Sequence, residues 1–436
     1  MEQAVKHISS KPSRIERFGL ESVPQELRKT RWYEYTIIQI AFSVNAGNFL
    51  VPALAVLEGG LSFTEAFLST IIGATLAFVF VSLLSIPGAK NGIPSQFAIR
   101  SMIGVKGARF ISSPIRTITS LYWFSVQTVG GALVIQHLLK SVFAISLPFF
   151  LVASSLAIIM TVLALIGFEA VKKATKYFMP ILLIGQGMMI FLLLRESNLL
   201  TGVESTAAAS NNISTMLFFA SLAFVQYVSG VSSSADMTRY AITPKEGFIG
   251  LFSGNVIGFM LTAFFGAYTA SLTNEWNPFI VTTNMTDSYI IVFIIIIAAI
   301  LSMISINLSN AYTGGFSLLN SLPGLGRVKA AILFGLLGIT LSLTPTLVNE
   351  AKQFISLLGG LVIPLSAVIV VDFIFKKRLT LNADEIIPLY NKQAFYSITL
   401  GMPVYFLLPE DYSPGFIAFL ITGLIYLMLF IYRRKD

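Results

Sequence analysis

Residues 43–48 read SVNAGN and lie in the middle of an apolar run that extends from 34 to 58. A second polar stretch, QYVSGVSSS at 226–234, interrupts the apolar run that begins at 213. Irregular backbone at membrane depth is tolerated only where protein or a water-filled cavity satisfies its polar groups. For either stretch alone, the alternative is that small residues merely let neighbouring helices pack closely. Two interruptions at matching places favour an inverted repeat with a binding site between its halves.

The composition around these stretches is that of a membrane protein. Apolar residues make up 55% of the chain and charged residues 11%, whereas an average soluble domain is about 25% charged. A run of about 20 apolar residues crosses the hydrocarbon core of a bilayer. We therefore predict an all-α integral membrane protein with twelve spans. They lie near 34–58, 65–88, 112–139, 145–168, 177–194, 213–234, 246–272, 288–320, 329–348, 353–375, 393–409 and 413–432.

The basic residues fall mostly on one side of these spans. Of the 29 Lys and Arg residues, all but Lys140, Arg195 and Lys352 lie in the tails or in alternate loops, including Arg116 at the end of the loop 89–116. The side rich in Lys and Arg is cytoplasmic by the positive-inside rule. We thus predict a multi-pass protein of the cell membrane with both termini in the cytoplasm. The net charge of +8 reflects this orientation and does not indicate a nucleic-acid partner.

The spans divide the chain into one membrane domain with two repeated halves. Two outer connections are long: 195–212 reads as a polar surface loop, and 273–287 is expected to form a short interfacial helix or lid. The predicted regions are a cytoplasmic tail at 1–33, spans 1–5 at 34–195, spans 6–10 at 213–375, two additional spans at 393–432 and a tail at 433–436.

Residues that catalyse reactions or bind metals are scarce. The chain has no cysteine and two histidines, His7 in the tail and His137 near the outer end of span 3. Neither a histidine metal cluster nor a catalytic histidine can be assembled from them, so we expect no enzyme. A channel would need a continuous polar pore, which one central polar cluster does not supply. Because the interior offers few charges, we expect a neutral ligand.

The interior does offer amides, hydroxyls and aromatic rings. Trp123 and Gln127 are four residues apart in span 3 and share one helical face. Buried amides must find partners, either in one another or in a ligand, and for any single amide both explanations stand. A planar heterocycle explains the whole set, because rings can stack on its faces and amides can bind its edge. The candidate ligand-binding residues are Trp123, Gln127, Gln226, Tyr227, Ser229, Asn307 and Asn310.

Four segments together resemble a known family. They are KNGIPSQFAIRSMIGVKGAR (90–109), YWFSVQ (122–127), QYVSGVSSSADMTRY (226–240) and SINLSNAYTGG (305–315). Over residues 20–375 the chain resembles the nucleobase-cation symporters of the cytosine, purine, hydantoin and allantoin permease family, most closely its cytosine permease branch.

The resemblance implies a leucine-transporter-like fold of ten core spans with two more at the C-terminus. It also implies a secondary active transporter that imports a nucleobase such as cytosine by alternating access. Gln127, Tyr227, Ser229 and Asn307 would contact the base, and Trp123 would line the pocket. An amino-acid or other small-solute carrier of the same fold remains the alternative. The oligomeric state is not predicted.

The resemblance places a coupling cation, sodium in several members, between spans 1 and 8. The implied ligands are Ala41, Asn45, Ser302 and Ser305. Where the family has two adjacent hydroxyl residues, this chain has Ser305 followed by Ile306. Sodium and proton coupling therefore both stay open.

The segment SADMTRY at the end of span 6 carries opposite charges three residues apart, at Asp236 and Arg239. Neighbours at this spacing can meet on a helix. We expect the pair to hold the cytoplasmic end of span 6 in one access state. An ordinary exposed pair, worth under about 1 kcal/mol, is the alternative.

Overall fold

The computed structural model describes residues 20–165, 168–199, 213–381 and 386–433. Within these ranges the chain is helical and forms no strand, apart from one isolated bridge between Thr30 and Ala241. Predictions for most of the N-terminal tail with His7, for most of the loop 195–212 and for the end of the C-terminal tail lie outside the described residues.

The helices follow the predicted spans. Those of the first half are Trp32–Ser43 and Ala46–Leu57 (span 1), Phe63–Leu83 (span 2), Ser113–Phe143 (span 3), Phe149–Ala164 (span 4) and Phe168–Leu199 (span 5). The second half contains Ile213–Val228 and Ser234–Thr238 (span 6), Pro244–Thr273 (span 7), Tyr289–Ser321 (span 8), Gly326–Leu341 (span 9) and Ala351–Val371 (span 10). Lys392–Leu407 (span 11) and Pro414–Arg433 (span 12) follow. Shorter helical segments are Gln25–Leu27, Ile86–Asn91, Ser95–Ile103, Val105–Gly107, Ala108–Ser112, Ser229–Ser232, Pro278–Asn284, Pro323–Leu325, Thr346–Asn349, Asp372–Lys376 and Glu410–Tyr412.

The length and apolarity of these helices make the chain a multi-pass membrane protein. Among the described residues, nine helices are each long and apolar enough to cross a bilayer, and the bent pair of span 1 makes ten. The predicted spans 145–168 and 393–409 correspond to helices of 16 residues each, Phe149–Ala164 and Lys392–Leu407. The all-α membrane fold is confirmed, and the count of twelve stays a prediction.

Span 1 bends by 61° between Ser43 and Ala46, where the sequence predicts a break. Side chains satisfy the backbone groups that the break leaves unpaired. Asn45 caps the second half, because its Oδ1 accepts a hydrogen bond from the backbone N of Asn48 at 3.0 Å. The carbonyl oxygen of Ser43 accepts from Asn48 Nδ2 at 2.8 Å and from Thr262 Oγ1 of span 7 at 2.8 Å. The polar residues of SVNAGN thus make the break stable inside the protein.

Span 6 is broken at the predicted place as well. Its α-helix ends at Val228, continues as a 3-10 turn over Ser229–Ser232 and leaves helical geometry at Ser233, where φ is −140°. A short helix, Ser234–Thr238, then completes the span. Both irregular segments are buried, as backbone without helical hydrogen bonds must be at membrane depth.

The spans pack in pairs that fit a repeated architecture. Span 3 packs along span 8, span 2 packs along spans 6 and 7, and span 1 packs along span 7. In an inverted repeat of five spans, span 1 corresponds to span 6 and span 2 corresponds to span 7. The contact between spans 2 and 6 then has its counterpart in the contact between spans 7 and 1, and both contacts are present. The repeat boundaries at 34–195 and 213–375 stay predictions.

The outer connection 273–287 contains the helix Pro278–Asn284. Its Phe279 is 2% exposed, and the ring centroid lies 5.2 Å from that of Phe49 in the second half of span 1, Ala46–Leu57. This helix is therefore packed against the bundle. It covers span 1 as a lid would, and it does not lie along the surface.

Candidate functional site

A cavity of about 150 Å³ lies where the breaks of spans 1 and 6 face spans 3 and 8. Six of the seven predicted ligand-binding residues line it: Trp123, Gln127, Gln226, Tyr227, Ser229 and Asn310. Polar residues beyond these seven also line it, including Ser43, Asn48, Arg116, Asn255, Ser309 and Thr313. The cavity is therefore bounded by polar groups and rings from both halves of the chain.

Two aromatic side chains of the cavity are held by other rings. The ring of Tyr227 lies between Phe78, at a centroid distance of 4.9 Å, and Phe259, at 5.0 Å. Trp123 packs edge to face with Tyr122 at 4.9 Å. Rings fixed by neighbouring rings present defined faces to a ligand.

The two glutamines of the cavity differ in how many of their side-chain hydrogen-bonding atoms have a partner in the protein. Gln127 donates from Nε2 to Asn45 Oδ1, and its Oε1 accepts from the backbone N of Gly47 at 3.1 Å. Gln226 donates from Nε2 to Asn48 Oδ1 at 3.2 Å, but its buried Oε1 has no partner in the described part of the chain. Gln127 therefore braces the break of span 1, whereas the oxygen of Gln226 is available to a ligand donor.

Asn307 lies one layer behind the cavity and does not line it. Its Nδ2 donates to the carbonyl oxygen of Phe124 at 3.0 Å and to Thr128 Oγ1 at 3.2 Å. Its Oδ1 accepts from Nδ2 of Asn310 at 3.1 Å. A direct contact between Asn307 and a ligand stays a prediction, and in this conformation Asn307 acts on the cavity through Asn310.

The residues proposed to bind a cation come from spans 1 and 8. Ala41 packs against span 8 one turn before Ser302. The hydroxyls of Ser302 and Ser305 each donate to a carbonyl oxygen of their own helix at 2.8 Å, which leaves oxygen lone pairs for a cation. Asn45 Oδ1 is already engaged by two donors. Ile306 lines the cavity, and the role of this set as cation ligands stays a prediction.

Asp236 and Arg239 are fully buried and not an exposed pair. Asp236 Oδ1 accepts from the backbone N of Ser95 at 2.7 Å, and its own N donates to Ser95 Oγ at 3.1 Å. Arg239 donates from Nη2 to the carbonyl oxygen of Glu21 at 2.8 Å. The two side chains thus tie the end of span 6 to the loop between spans 2 and 3 and to the N-terminal segment.

The segment 20–31 lies across the same end of the bundle. Its Val23 N donates to Gly92 O at 2.9 Å, and its Thr30 N donates to Tyr240 O at 3.0 Å. Ile242 N donates back to Thr30 O at 3.1 Å. This segment therefore joins the chain before span 1 to the end of span 6, close to Asp236 and Arg239.

Replacing Asp236 with asparagine is expected to slow transport by about tenfold, the effect of about 1.4 kcal/mol, while substrate binding changes less. The amide keeps an acceptor for the backbone N of Ser95 but removes the buried charge. The access state in which Asp236 holds the end of span 6 should therefore lose stability relative to the other access state. Initial uptake rates and equilibrium binding measure the two effects. Asp287→Asn, at an exposed carboxylate of the outer connection, is the control. Equal changes in uptake and binding would contradict a gating role.

Arg116 is a cavity residue that the sequence analysis assigned to a cytoplasmic loop. It lies in the first turn of the span 3 helix, is 7% exposed and faces the cavity. The spacing could have revealed this, because Arg116 precedes Trp123 by seven residues and Gln127 by eleven, which places all three on one helical face. The assignment to the loop is thus wrong, because a residue next to a loop can still point inward from the first turn of a helix.

The comparison with known families agrees with this site. Residues 22–407 match the model of a family described as permeases for cytosine/purines, uracil, thiamine and allantoin. The chain belongs to this permease family. It is therefore a transport protein and not an enzyme.

Individual relatives of this permease cover most of its length. It is 24% identical to an allantoin permease of Bacillus subtilis, over 80% of this chain and 79% of the relative. It is 22% identical to the cytosine permease of Escherichia coli K12, over 83% and 82%. The solved structure of Mhp1, a nucleobase-cation-symport-1 family transporter in a closed conformation with bromovinylhydantoin bound, has a TM-score of 0.78 at 17% identity and covers 97% of this chain and 96% of that one. The predicted leucine-transporter-like fold is confirmed.

Proposed function

We propose that this permease imports a single-ring nucleobase or a related planar heterocycle, such as cytosine, by cation-coupled alternating access. The cavity at the two helix breaks carries the proposal. Its volume is about 150 Å³, and an engineered protein cavity of about 150 Å³ binds benzene. Drug-sized ligands occupy pockets of about 300 to 1,000 Å³, so the cavity suits one ring.

The chemistry of the lining supports the same class of substrate. Trp123 and Tyr227 contribute aromatic rings from spans 3 and 6, and Gln226 contributes a carbonyl oxygen without a partner among the described residues. A ring whose edge carries N–H donors and carbonyl acceptors satisfies such a lining. Relatives named for cytosine and allantoin, and the hydantoin bound to Mhp1, are consistent with a cyclic amide.

The proposed setting is the cell membrane, with both termini in the cytoplasm. The predominance of Lys and Arg in the tails and alternate loops supports this orientation. The partners are then the small-molecule substrate and the lipid bilayer.

A thermal-shift panel of purified protein tests the substrate class. Cytosine, uracil, hydantoin and allantoin represent cyclic amides, and a set of amino acids represents the alternative carrier. A ligand that binds only the folded protein stabilises it by mass action, so at least one cyclic amide should raise the melting temperature in a concentration-dependent way. Stabilisation by amino acids alone would contradict the proposal.

Sodium is expected to raise substrate affinity if the hydroxyls of Ser302 and Ser305 and the carbonyls of span 1 suffice as ligands. By linkage, substrate should raise sodium affinity by the same factor. The measurement is substrate binding across a sodium titration at fixed pH and ionic strength. A flat curve would contradict sodium coupling and favour coupling to protons.

Ile306→Thr restores the hydroxyl that the resemblance implies at this position. It should create or strengthen the sodium dependence, because each added oxygen ligand helps to replace the hydration shell of the ion. Ile306→Val is the matched control, since it changes the side-chain volume without adding oxygen. The same sodium dependence in both variants would show that the site is misplaced.

A further inference from the structure

Arg116 brings a charge into the cavity. It is 7% exposed, and among the described residues that line the cavity it is the one with a charged side chain. A neutral ligand is expected of an interior that has almost no charges. Arg116 is a charge that faces the cavity directly.

The hydrogen-bond partners of Arg116 are neutral. Nη2 donates to Thr313 Oγ1 at 3.1 Å, and Nη1 donates to the carbonyl oxygen of Ser229 at 3.4 Å. The buried Nε has no partner in the part of the chain that the structure describes. The ion pairs within 4.0 Å found there involve Lys172, Lys352 and Lys376, and none includes Arg116. A buried charge without a close counter-ion is costly.

Asp236 does not neutralise this charge by itself. It interacts electrostatically with Arg116, Arg239 and Arg327 together, and one of its oxygens is held by the backbone N of Ser95 at 2.7 Å. In the described part of the chain, the buried guanidinium of Arg116 therefore has no carboxylate within 4.0 Å, and its end of the cavity favours an anionic ligand.

We propose that the heterocycle bound in this cavity carries a negative charge on its rim and that Arg116 is its counter-ion. The inference rests on the proposed function and, among its planar heterocycles, favours an anionic ring over neutral cytosine. The charge belongs either to a carboxylate attached to the ring or to a ring position that is deprotonated between two carbonyl groups, whose oxygens then share the charge. Both present anionic oxygen in the plane of the ring, which suits the planar, forked guanidinium.

A zwitterionic amino acid fits the lining less well. Its carboxylate could bind Arg116, but its ammonium would need a counter-charge, and the described lining residues include no carboxylate. An anionic ring needs one cation and amide partners, and Gln226 and Asn310 supply the amides from two other spans.

The test compares three pyrimidine ligands with the purified full-length protein by isothermal titration calorimetry at fixed pH, sodium concentration and ionic strength. Uracil is neutral, its 6-carboxylate carries the charge on a group attached to the ring, and barbiturate, which is deprotonated at C5 between two carbonyl groups, carries it on the oxygens of those carbonyls. Hydrogen bonds to charged groups are stronger than those between neutral ones, so at least one anion should bind about tenfold or more tightly than uracil. The anion that binds shows which of the two sources supplies the charge.

Arg116→Gln should remove this preference, lowering anion affinity by about tenfold or more and uracil affinity by less than about threefold. Arg116→Lys keeps the charge and should keep part of the preference. Arg109→Gln is the matched control: Arg109 lies in the short helical segment Ala108–Ser112 just before span 3, donates to the carbonyl oxygen of Ser321 at 3.0 Å and does not line the cavity. It should leave all three affinities unchanged.

Binding of uracil or cytosine without binding of either anion would overturn the inference and leave the proposed function standing. An equal loss of neutral and anionic ligands in Arg116→Gln would also overturn it, because Arg116 would then only brace spans 3, 6 and 8. Failure of every ring to bind the wild-type protein would overturn the proposed function and this inference together. If Arg116→Gln does not fold, the wild-type panel and Arg116→Lys decide.

Discussion

Gln127→Ala is expected to weaken substrate binding by about tenfold or more and to lower the stability of the folded protein by about 1 to 3 kcal/mol. The side chain lines the cavity and also holds the break of span 1 through Asn45 Oδ1 and the backbone N of Gly47. Alanine leaves both of these buried groups without that partner, so the break loses its fixed geometry. Equilibrium binding and thermal unfolding measure the two losses.

Gln136→Ala is the control for Gln127→Ala. Gln136 lies in the same helix near its outer end, and its Nε2 donates to the carbonyl oxygen of Leu147 at 2.8 Å, far from the cavity lining. The control should bind substrate like the wild type. If Gln127→Ala also binds like the wild type, the cavity is not the substrate site.

Gly73→Ala is expected to destabilise the fold by about 1 to 3 kcal/mol or more, the range for added volume in a close-packed interior. A Cβ at Gly73 would overlap the backbone carbonyl of Ala220 in span 6, and two helix backbones cannot separate without disturbing the whole contact. Membrane helices approach this closely only through small residues. Span 6 carries Gln226 and Tyr227, so a shifted span 6 would displace the cavity lining too.

Thermal unfolding in detergent and the yield of monodisperse protein measure the effect of Gly73→Ala. Gly187→Ala is the matched control, because Gly187 lies in the span 5 helix and a Cβ there has no neighbour within 4 Å. Equal stability of the two variants would contradict the close packing of spans 2 and 6.

Much of the fold could be predicted from the sequence, because the decisive signals are local. Polar residues inside apolar runs marked the breaks at 43–48 and 226–234, and both breaks are present. Hydrophobic runs also gave the order and approximate position of the helices. These features depend on which residues of a segment can face lipid, and the polarity of that segment alone indicates this.

The site was harder to predict, because its details depend on contacts between distant segments. Asn307 carries a buried amide as expected, but Phe124 and Thr128 of span 3 satisfy it, and nothing in span 8 alone shows that. Phe279 likewise packs on Phe49 across more than 200 residues of chain. Arg116 is hard to place for a different reason: a basic residue beside a loop indicates orientation, and only its helical face shows that it points into the cavity.

Transport itself is tested most directly by uptake of a labelled cyclic amide, the tightest binder of the panel, into proteoliposomes that contain the purified protein. We expect an inward cation gradient to drive accumulation of the intact compound above its external concentration. Collapsing the gradient should abolish this accumulation, and Gln127→Ala should reduce it. A failure to accumulate any bound ring, or recovery of the label in a chemically altered compound, would contradict cation-coupled transport.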